Sequence, residues 1–414
     1  MHAAITRYAL DRIPLSLIID DSTVLLNANY FWMRDRNPVD GQNRRWEDVP
    51  VVHPESFTRQ WAELCLEHGV RGKFSVIPCP AAVGRIDHGL PLFSRGQQDD
   101  WLAMCRELIA PAFDITPEML THSFVVDPDT CVPVEPGIWE QYEWETLPQD
   151  EELVTRYLAA ACQILVNVDL IPTGVTSPGG FGGRSLELYA RATGNALREV
   201  TGHATPFFFK RVTAEGTEVE TPVWYPDTGR GTAVGEIIAS TGDRTGSWTG
   251  YGEADADYYL AEDLSSGRVA ELIAARKPVV LCSHWQGFYG MHDEDRRGLR
   301  VLQTLLRRLK ALDPDESLTR WRKCSEITTY ACAREMATVE VHDRQVELDL
   351  PLQVPELTLE LTGTDVQGVT VNGAPLRRVV SKAAFAGGTY MVQGDRTLVA
   401  FDGVGERAVV EVVP

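Results

Sequence analysis

The chain has 414 residues, 44% hydrophobic and 24% charged, which is the composition of an ordinary globular protein with length for one large core and a small second one. Its formal net charge of −20 disfavours nucleic acid or an anionic membrane as the main partner, because both repel an acidic surface. The N-terminus lacks a charged, then apolar, then small-residue pattern, and no segment approaches ~20 apolar residues, so the expectation is a soluble, cytoplasmic protein.

In chain order, the apolar runs with strand character are Leu15–Ile19, Lys73–Ile77, Met119–Val126, Ile171–Thr176, Phe207–Val212, Gly235–Ser240 and Pro278–Cys282. Between and after them lie amphipathic stretches. Pro54–His68 carries Phe57, Trp61, Leu64 and Cys65 at helical spacing, with Pro54 suited to the first turn and Gly69 to the residue past the end. Asp99–Ile109, Glu151–Leu170 and Arg296–Leu312 repeat that pattern. Alternation of this kind implies parallel strands joined by helical crossovers, and seven or eight such units suggest a closed barrel over an open sheet. The eight cysteines form no CxxC pair, and several sit inside apolar runs such as Val279-Val280-Leu281-Cys282, as small buried hydrophobes of a reducing compartment do.

Near residue 335 the pattern turns nearly all β: Thr338–Val341, Gln345–Leu350, Leu357–Leu361, Val366–Val371, Thr389–Val392, Leu398–Phe401 and Ala408–Val412. Asn372-Gly373 is a strong hairpin turn, and Gly387-Gly388 and Asp402-Gly403 read as further turns. The reading is therefore an α/β protein: a (β/α)7-8 barrel over residues 1–334 followed by a small all-β sandwich over 335–414.

In a parallel α/β barrel, function sits where strands end. Asp20-Asp21 follows Leu15–Ile19, and two adjacent carboxylates there either bind a cation and act as a base, or cap the next turn. His122-Ser123 offers a metal ligand, a proton shuttle or a structural histidine, and Asp127 follows closely as a further oxygen donor or turn residue. The loop Ser177-Pro178-Gly179-Gly180-Phe181-Gly182-Gly183-Arg184 lets backbone approach a ligand but lacks the Gly-Lys-Ser/Thr of a phosphate loop; it is a flexible connection or a substrate loop with Ser177 and Arg184 as candidate contacts. His284 after Pro278–Cys282 is a candidate general acid. Trp285, Trp248 and Tyr251 are candidates for a sugar platform, or for core packing.

These residues resemble the polysaccharide deacetylase superfamily of distorted β/α-barrel, metal-dependent hydrolases. Ile18-Ile19-Asp20-Asp21-Ser22 is similar to its first motif, Glu118-Met119-Leu120-Thr121-His122-Ser123 to its second, Thr176-Ser177-Pro178-Gly179-Gly180 to its third, and Val280-Leu281-Cys282-Ser283-His284 to its last. The resemblance covers about residues 13–334. It implies Asp20 as catalytic base, Asp21 and His122 as metal ligands and His284 as catalytic acid. Two departures stand out: Val126 falls where a second metal histidine belongs, and Thr176 where an arginine would orient the base. Asp127 or His53 would then supply the third ligand.

The implied activity is that of a hydrolase removing an amide- or ester-linked acyl group from a small carbohydrate or glycoside, with a divalent metal such as zinc. No nucleic acid or membrane partner is expected, and a homo-oligomer is compatible with the sequence. Two other readings remain: a non-hydrolytic carbohydrate-binding barrel that has lost its metal, and a metal-independent acid–base lyase or isomerase acting on a sugar.

Overall fold

The computed structural model describes residues 1–23, 25–36, 46–290 and 295–413. The protein is mixed α/β, with several sheets and helices. Its first strand, β1 (His2–Ile5), is followed by β2 (Ile13–Asp20), α1 (Ala28–Arg36), α2 (Glu55–Glu67), β3 (Gly72–Ser75), α3 (Arg95–Met104) and β4 (Phe113–Thr116). Next come α4 (Glu151–Val166), β5 (Gly174–Thr176), α5 (Leu186–Thr201), β6 (Phe207–Val212), β7 (Val223–Asp227) and β8 (Thr232–Ala239). The short α6 (Ala256–Tyr259) and α7 (Arg268–Ala274) lead to β9 (Val279–His284), α8 (Trp285–Tyr289), α9 (Arg297–Leu312), β10 (Thr319–Trp321) and α10 (Cys324–Met336).

Parallel pairing links β9 to β2, β2 to β3 and β3 to β4. Isolated parallel bridges Ile115↔Pro172 and Glu118↔Thr176 carry the order on to β5, which pairs with β6, and β6 with β8. From β8 the Ser240 amide donates to the Val280 carbonyl at 2.8 Å, returning to β9. Seven parallel strands thus follow one another in a circuit that comes back to β2. Ile18, Phe207, Phe209, Ile237, Val280 and Cys282 from these strands pack with Cys324 and Ile327 of α10, while Leu15, Leu17 and Ile19 pack with the helices on the other face. Period-2 alternation therefore puts Ser16, Ile18 and Asp20 on one side of β2.

The C-terminal strands are β11 (Thr338–His342), β12 (Gln345–Asp349), β13 (Gln353–Thr362), β14 (Gly368–Val371), β15 (Ala374–Pro375), β16 (Arg377–Val379), β17 (Thr389–Gln393), β18 (Arg396–Val404) and β19 (Arg407–Val413). They form two sheets, β1-β13-β18-β17-β16 and β11-β12-β19-β14-β15. One apolar cluster takes Leu359 and Val399 from the first sheet and Leu348 and Val410 from the second, so the two sheets share a buried face. Asn372-Gly373 makes the two-residue hairpin between β14 and β15, with φ of 50° and 78°, as a turn that matches strand twist demands.

Four expectations change. Residues 1–334 do not contain all their own strands, because β1 pairs antiparallel with β13, from His2↔Thr362 to Ile5↔Leu359. The run Met119–Val126 is no strand: Met119 and His122 take positive φ (49° and 58°), and the buried apolar residues pack from a loop. The strand of that unit is β4, too short and too polar at Asp114 to stand out in the sequence. Asp402-Gly403 lies inside β18, where Gly403 pairs with Val354.

Candidate functional site

The C-terminal ends of β2, β4, β8 and β9 bring a set of charged groups together. Asp20 is the last residue of β2 and the register partner of His284, the last residue of β9. Past the strand, Asp21 turns with φ 59°, a left-handed conformation that aspartate tolerates better than most residues. His122 shares that strained region at φ 58°, and such outliers gather at functional sites because surrounding structure must enforce them.

Asp21, Glu118 and His122 form one buried cluster, with one ligand atom of each within 4.8 Å of the others. His122 Nε2 lies 2.8 Å from Asp21 Oδ1 and 3.4 Å from Glu118 Oε1. The other Glu118 oxygen, Oε2, accepts from the Asp21 amide at 2.8 Å, fixing the turn that carries its neighbour. Burial would lower His122, but Asp21 and Glu118 outweigh it and hold the imidazole well above its ordinary range. Burial likewise would raise Asp21, and His122 brings it below the usual carboxylate range. Two carboxylates and one imidazole are a donor set that suits a divalent cation, zinc among them. Their convergence away from water is costly unless a proton or a cation compensates them, so the residues present fit such an ion.

A further carboxylate organises the His122 loop. Glu140 accepts from the backbone amides of Leu120 (3.3 Å), Thr121 (3.0 Å) and His122 (2.7 Å), and from the Tyr157 hydroxyl. Burial pushes Glu140 up to about 7 against those bonds. The Gln141 amide stands 3.1 Å from His122 Nδ1, and a flip of that amide serves either protonation state of the ring.

Lys73 of β3 is fully buried and ion-paired to Asp20 Oδ1. Its Nζ also donates to Thr176 Oγ1 at 2.7 Å and Ser75 Oγ at 2.8 Å, and Thr116 Oγ1 is 2.9 Å from Thr176 Oγ1. Thr176, which stands where the resemblance calls for an arginine, thus holds the lysine that pairs with Asp20. Burial pushes Asp20 up to about 6, with Lys73 opposing.

His284 Nδ1 lies 2.7 Å from Asp243 Oδ2, and Asp243 Oδ1 accepts from the Thr245 amide and hydroxyl, each at 2.7 Å. Burial lowers the ring's affinity for protons, yet the Asp243 hydrogen bond and nearby carboxylates raise it to about 9.

Asp21, His122 and His284 open onto a pocket of about 270 Å³. Asn29 and Trp32 of α1, Gln141, Tyr142 and Trp248 complete its walls. Trp32 and Trp248 meet edge to face at 5.0 Å, and the Asn29 Nδ2 group is buried without a partner among the described residues. Gly179 closes the far side with φ 48°, a conformation that favours glycine, and a Cβ there would stand 2.9 Å from the Tyr142 hydroxyl.

Of the residues singled out from sequence, the structure gathers Asp20, Asp21, His122, His284 and Trp248. It does not bring Asp127 or His53 to the cluster. The exposed Asp127 carboxylate caps its own turn, accepting from the amides of Asp129 (3.1 Å) and Thr130 (3.0 Å). His53 is buried among Phe57, Trp285 and Tyr289, and burial alone takes its pKa down to about 3, as befits a neutral ring in an aromatic core. Trp285 belongs to the same core, packed on Trp61 and Phe74 with ring centroids at 5.4 Å each, and Tyr251 is buried off the pocket. Ser177 spends its hydroxyl on the Phe181 carbonyl, and Arg184 is exposed, its amide donating to Glu145 at 2.6 Å. Neither lines the pocket. Sequence reasoning missed Lys73, Asp243, Glu140 and the ligand position of Glu118. Asp243 follows the end of β8 and Glu118 the end of β4, so the strand-end rule could have found them; nothing local marks Lys73.

No family model matches the chain, and no curated protein sequence matches it. Among solved structures, a Mycobacterium smegmatis protein described as a polysaccharide deacetylase aligns at 14% identity with a TM-score of 0.36, over 78% of this chain and 97% of its own. The Thermotoga maritima α-fucosidase aligns at 12% identity with a TM-score of 0.31, over 99% of this chain and 97% of its own. Among the described residues, no helix is long and apolar enough to cross a membrane.

Proposed function

We propose that this chain is a metal-dependent hydrolase that removes an acyl group, held as an amide or ester, from a small carbohydrate or glycoside. The seven-strand circuit then reads as a distorted β/α barrel and the two C-terminal sheets as an appended β-sandwich. One observation carries the reading: Asp21 and His122 of the buried Asp21–Glu118–His122 cluster line a pocket with His284, and Asp21 adjoins the Lys73-held Asp20 in sequence. Asp21, Glu118 and His122 would hold the cation. When bound, it supplies Lewis-acid polarisation of the scissile carbonyl and acidifies water.

The chain's own residues divide the proton work. Lys73 occupies Asp20 Oδ1, so the other carboxylate oxygen is the one left to take a proton from water. With a pKa of about 6, Asp20 is ionised at neutral pH and able to act as a base. Asp243 occupies His284 Nδ1, which leaves Nε2 to protonate the departing amine or alcohol; at about 9 the ring is charged and ready to do so. With no cation bound, base and acid are both in the required state between about pH 6 and 9. Trp32 and Trp248 offer apolar faces to a sugar ring, and Asn29 a free amide to one of its oxygens. At about 270 Å³ the space is below the ~300–1,000 Å³ of sites for drug-sized ligands, which favours a single ring over a polymer segment.

The test is metal analysis of the purified protein together with release of acetate from N- and O-acetylated sugars. Stoichiometric metal, turnover, and loss of turnover in a folded, metal-loaded Asp20→Asn variant support the reading. Turnover unchanged in that variant removes Asp20 as base, and sugar binding with neither metal nor turnover replaces the hydrolase by a binding protein.

A further inference from the structure

A second cavity, of about 50 Å³, lies between the N-terminal ends of the parallel strands and the C-terminal sheets. Arg12 just before β2, Arg322 just after β10, Arg334 of α10 and Arg7 after β1 all line it. Four arginines among the residues lining so small a space stand out in a chain with 59 acidic and 39 basic residues. The two carboxylates on the same walls are engaged by other cations: Glu220 with Lys277 at 2.8 Å, and Glu326 with Arg71 at 2.9 Å. Arg322 has Glu356 at 2.6 Å, and Arg7 reaches Glu220 only at 3.6 Å.

Arg12 is the informative member. It is 3% exposed, its Nε has no hydrogen-bond partner, and it pairs with no carboxylate among the described residues. Its Nη2 donates to the Lys382 carbonyl, and Glu356 and Glu316 favour its charge only from beyond ion-pair distance. Burial, and then the nearby Arg320, hold the guanidinium below its usual range. Arg334 is exposed and likewise pairs with no carboxylate among the described residues; its Nη1 donates to the Arg7 carbonyl at 3.2 Å. A buried guanidinium without a directly paired anion is costly, and arginine's planar fork matches tetrahedral oxyanions. The space is several times the roughly 10–15 Å³ that admits one water, and so suits a single small polyatomic group.

We propose that this cavity is a binding site for a phosphate group, with Arg12 and Arg334 as its principal donors and Arg322 and Arg7 at its rim. It is separate from the proposed catalytic pocket. The path along β2 from Arg12 to Asp20 is eight residues, about 26 Å at the usual strand rise. The site therefore stands whether or not the hydrolase reading does.

The experiment is calorimetric titration of the full chain in phosphate-free buffer at fixed ionic strength. Inorganic phosphate and glycerol phosphate are the two probes, and chloride is the control. Saturable binding that weakens at least tenfold in both Arg12→Gln and Arg334→Gln, and holds in Arg230→Gln, a residue that does not line the cavity, is the expected result. Arg334 is exposed, so its variant reports even if Arg12→Gln folds poorly. Tighter binding of glycerol phosphate than of inorganic phosphate assigns the site to the phosphate end of a larger metabolite, and the reverse assigns it to the free anion. Absence of saturable binding at millimolar concentration of either probe, or equal affinity in wild type and Arg334→Gln, overturns the proposal.

Discussion

Replacing Asp243 by Asn removes a negative charge 2.7 Å from His284 Nδ1 while keeping the side chain's size. The imidazole stands at about 9 against an ordinary 6.5: burial opposes the proton, and the Asp243 hydrogen bond, then the charges of Asp21, Asp243 and Asp20, overcome it. That rise corresponds to about 3 kcal/mol in favour of the charged ring. A hydrogen bond to a charged group is worth about 1.5–3 kcal/mol, or roughly one to two pH units. The His284 transition in Asp243→Asn is therefore expected at about pH 7–8. NMR titration of the His284 C2 proton in metal-free protein reads this without a substrate, and the basic limb of kcat/KM for an acylated sugar should follow it. Stability carries the same signature. Because the folded pKa is raised, the stabilisation from His284 is complete below about 6.5 and is lost as pH rises through about 9. In the variant that loss is smaller and finished by about pH 7–8. A His284 transition that does not move on Asp243→Asn, or that sits near 6.5 in the wild type, refutes the pairing as the cause.

Glu118→Gln should weaken zinc binding by more than the 10–100-fold typical of losing a group that merely supports a ligand, measured by competition with a chelating dye. Asp127→Asn should leave affinity unchanged, and an equal loss there would return the third ligand to Asp127. Lys73→Met strands a buried Asp20 carboxylate and should cost about 3–5 kcal/mol in denaturant unfolding. Adding Asp20→Asn should recover part of that cost, since a neutral amide needs no counter-charge; strictly additive losses would show that the two side chains do not interact.

Much of the candidate site was legible because strand ends are marked locally. An apolar run followed by Asp20-Asp21, or by Ser283-His284, states in adjacent residues both where a strand stops and what chemistry stands there. Lys73 carried no such mark: on a strand buried on both faces, composition does not say which side chain points to the interior. Its role exists only because Asp20 at the end of β2 and Thr176 of β5, with β4 between β3 and β5, reach the same interior point as Lys73 of β3. The third ligand failed for a related reason. Reading forward from His122 offered Asp127 as the next donor, but the backbone reverses at Met119 and His122, and the donor that returns to the histidine lies behind it, at Glu118. Trp285 looked like a platform because it adjoins His284, yet helix α8 turns it into the core.

The two halves of the chain divide in the same way. Period, turn chemistry and the change of pattern near residue 335 were set by neighbours in sequence, so most of the parallel strands (β4 excepted), the later β-strands and the Asn372-Gly373 hairpin could be read directly. Partner choice was not: β1 joins β13 across more than 350 residues, and Arg12 meets Arg322 and Arg334 only once the strand starts and the C-terminal sheets pack together. Local sequence fixes φ, ψ and the alternation of faces, whereas long-range pairing is decided by which exposed edges and unpaired charges remain when those elements meet.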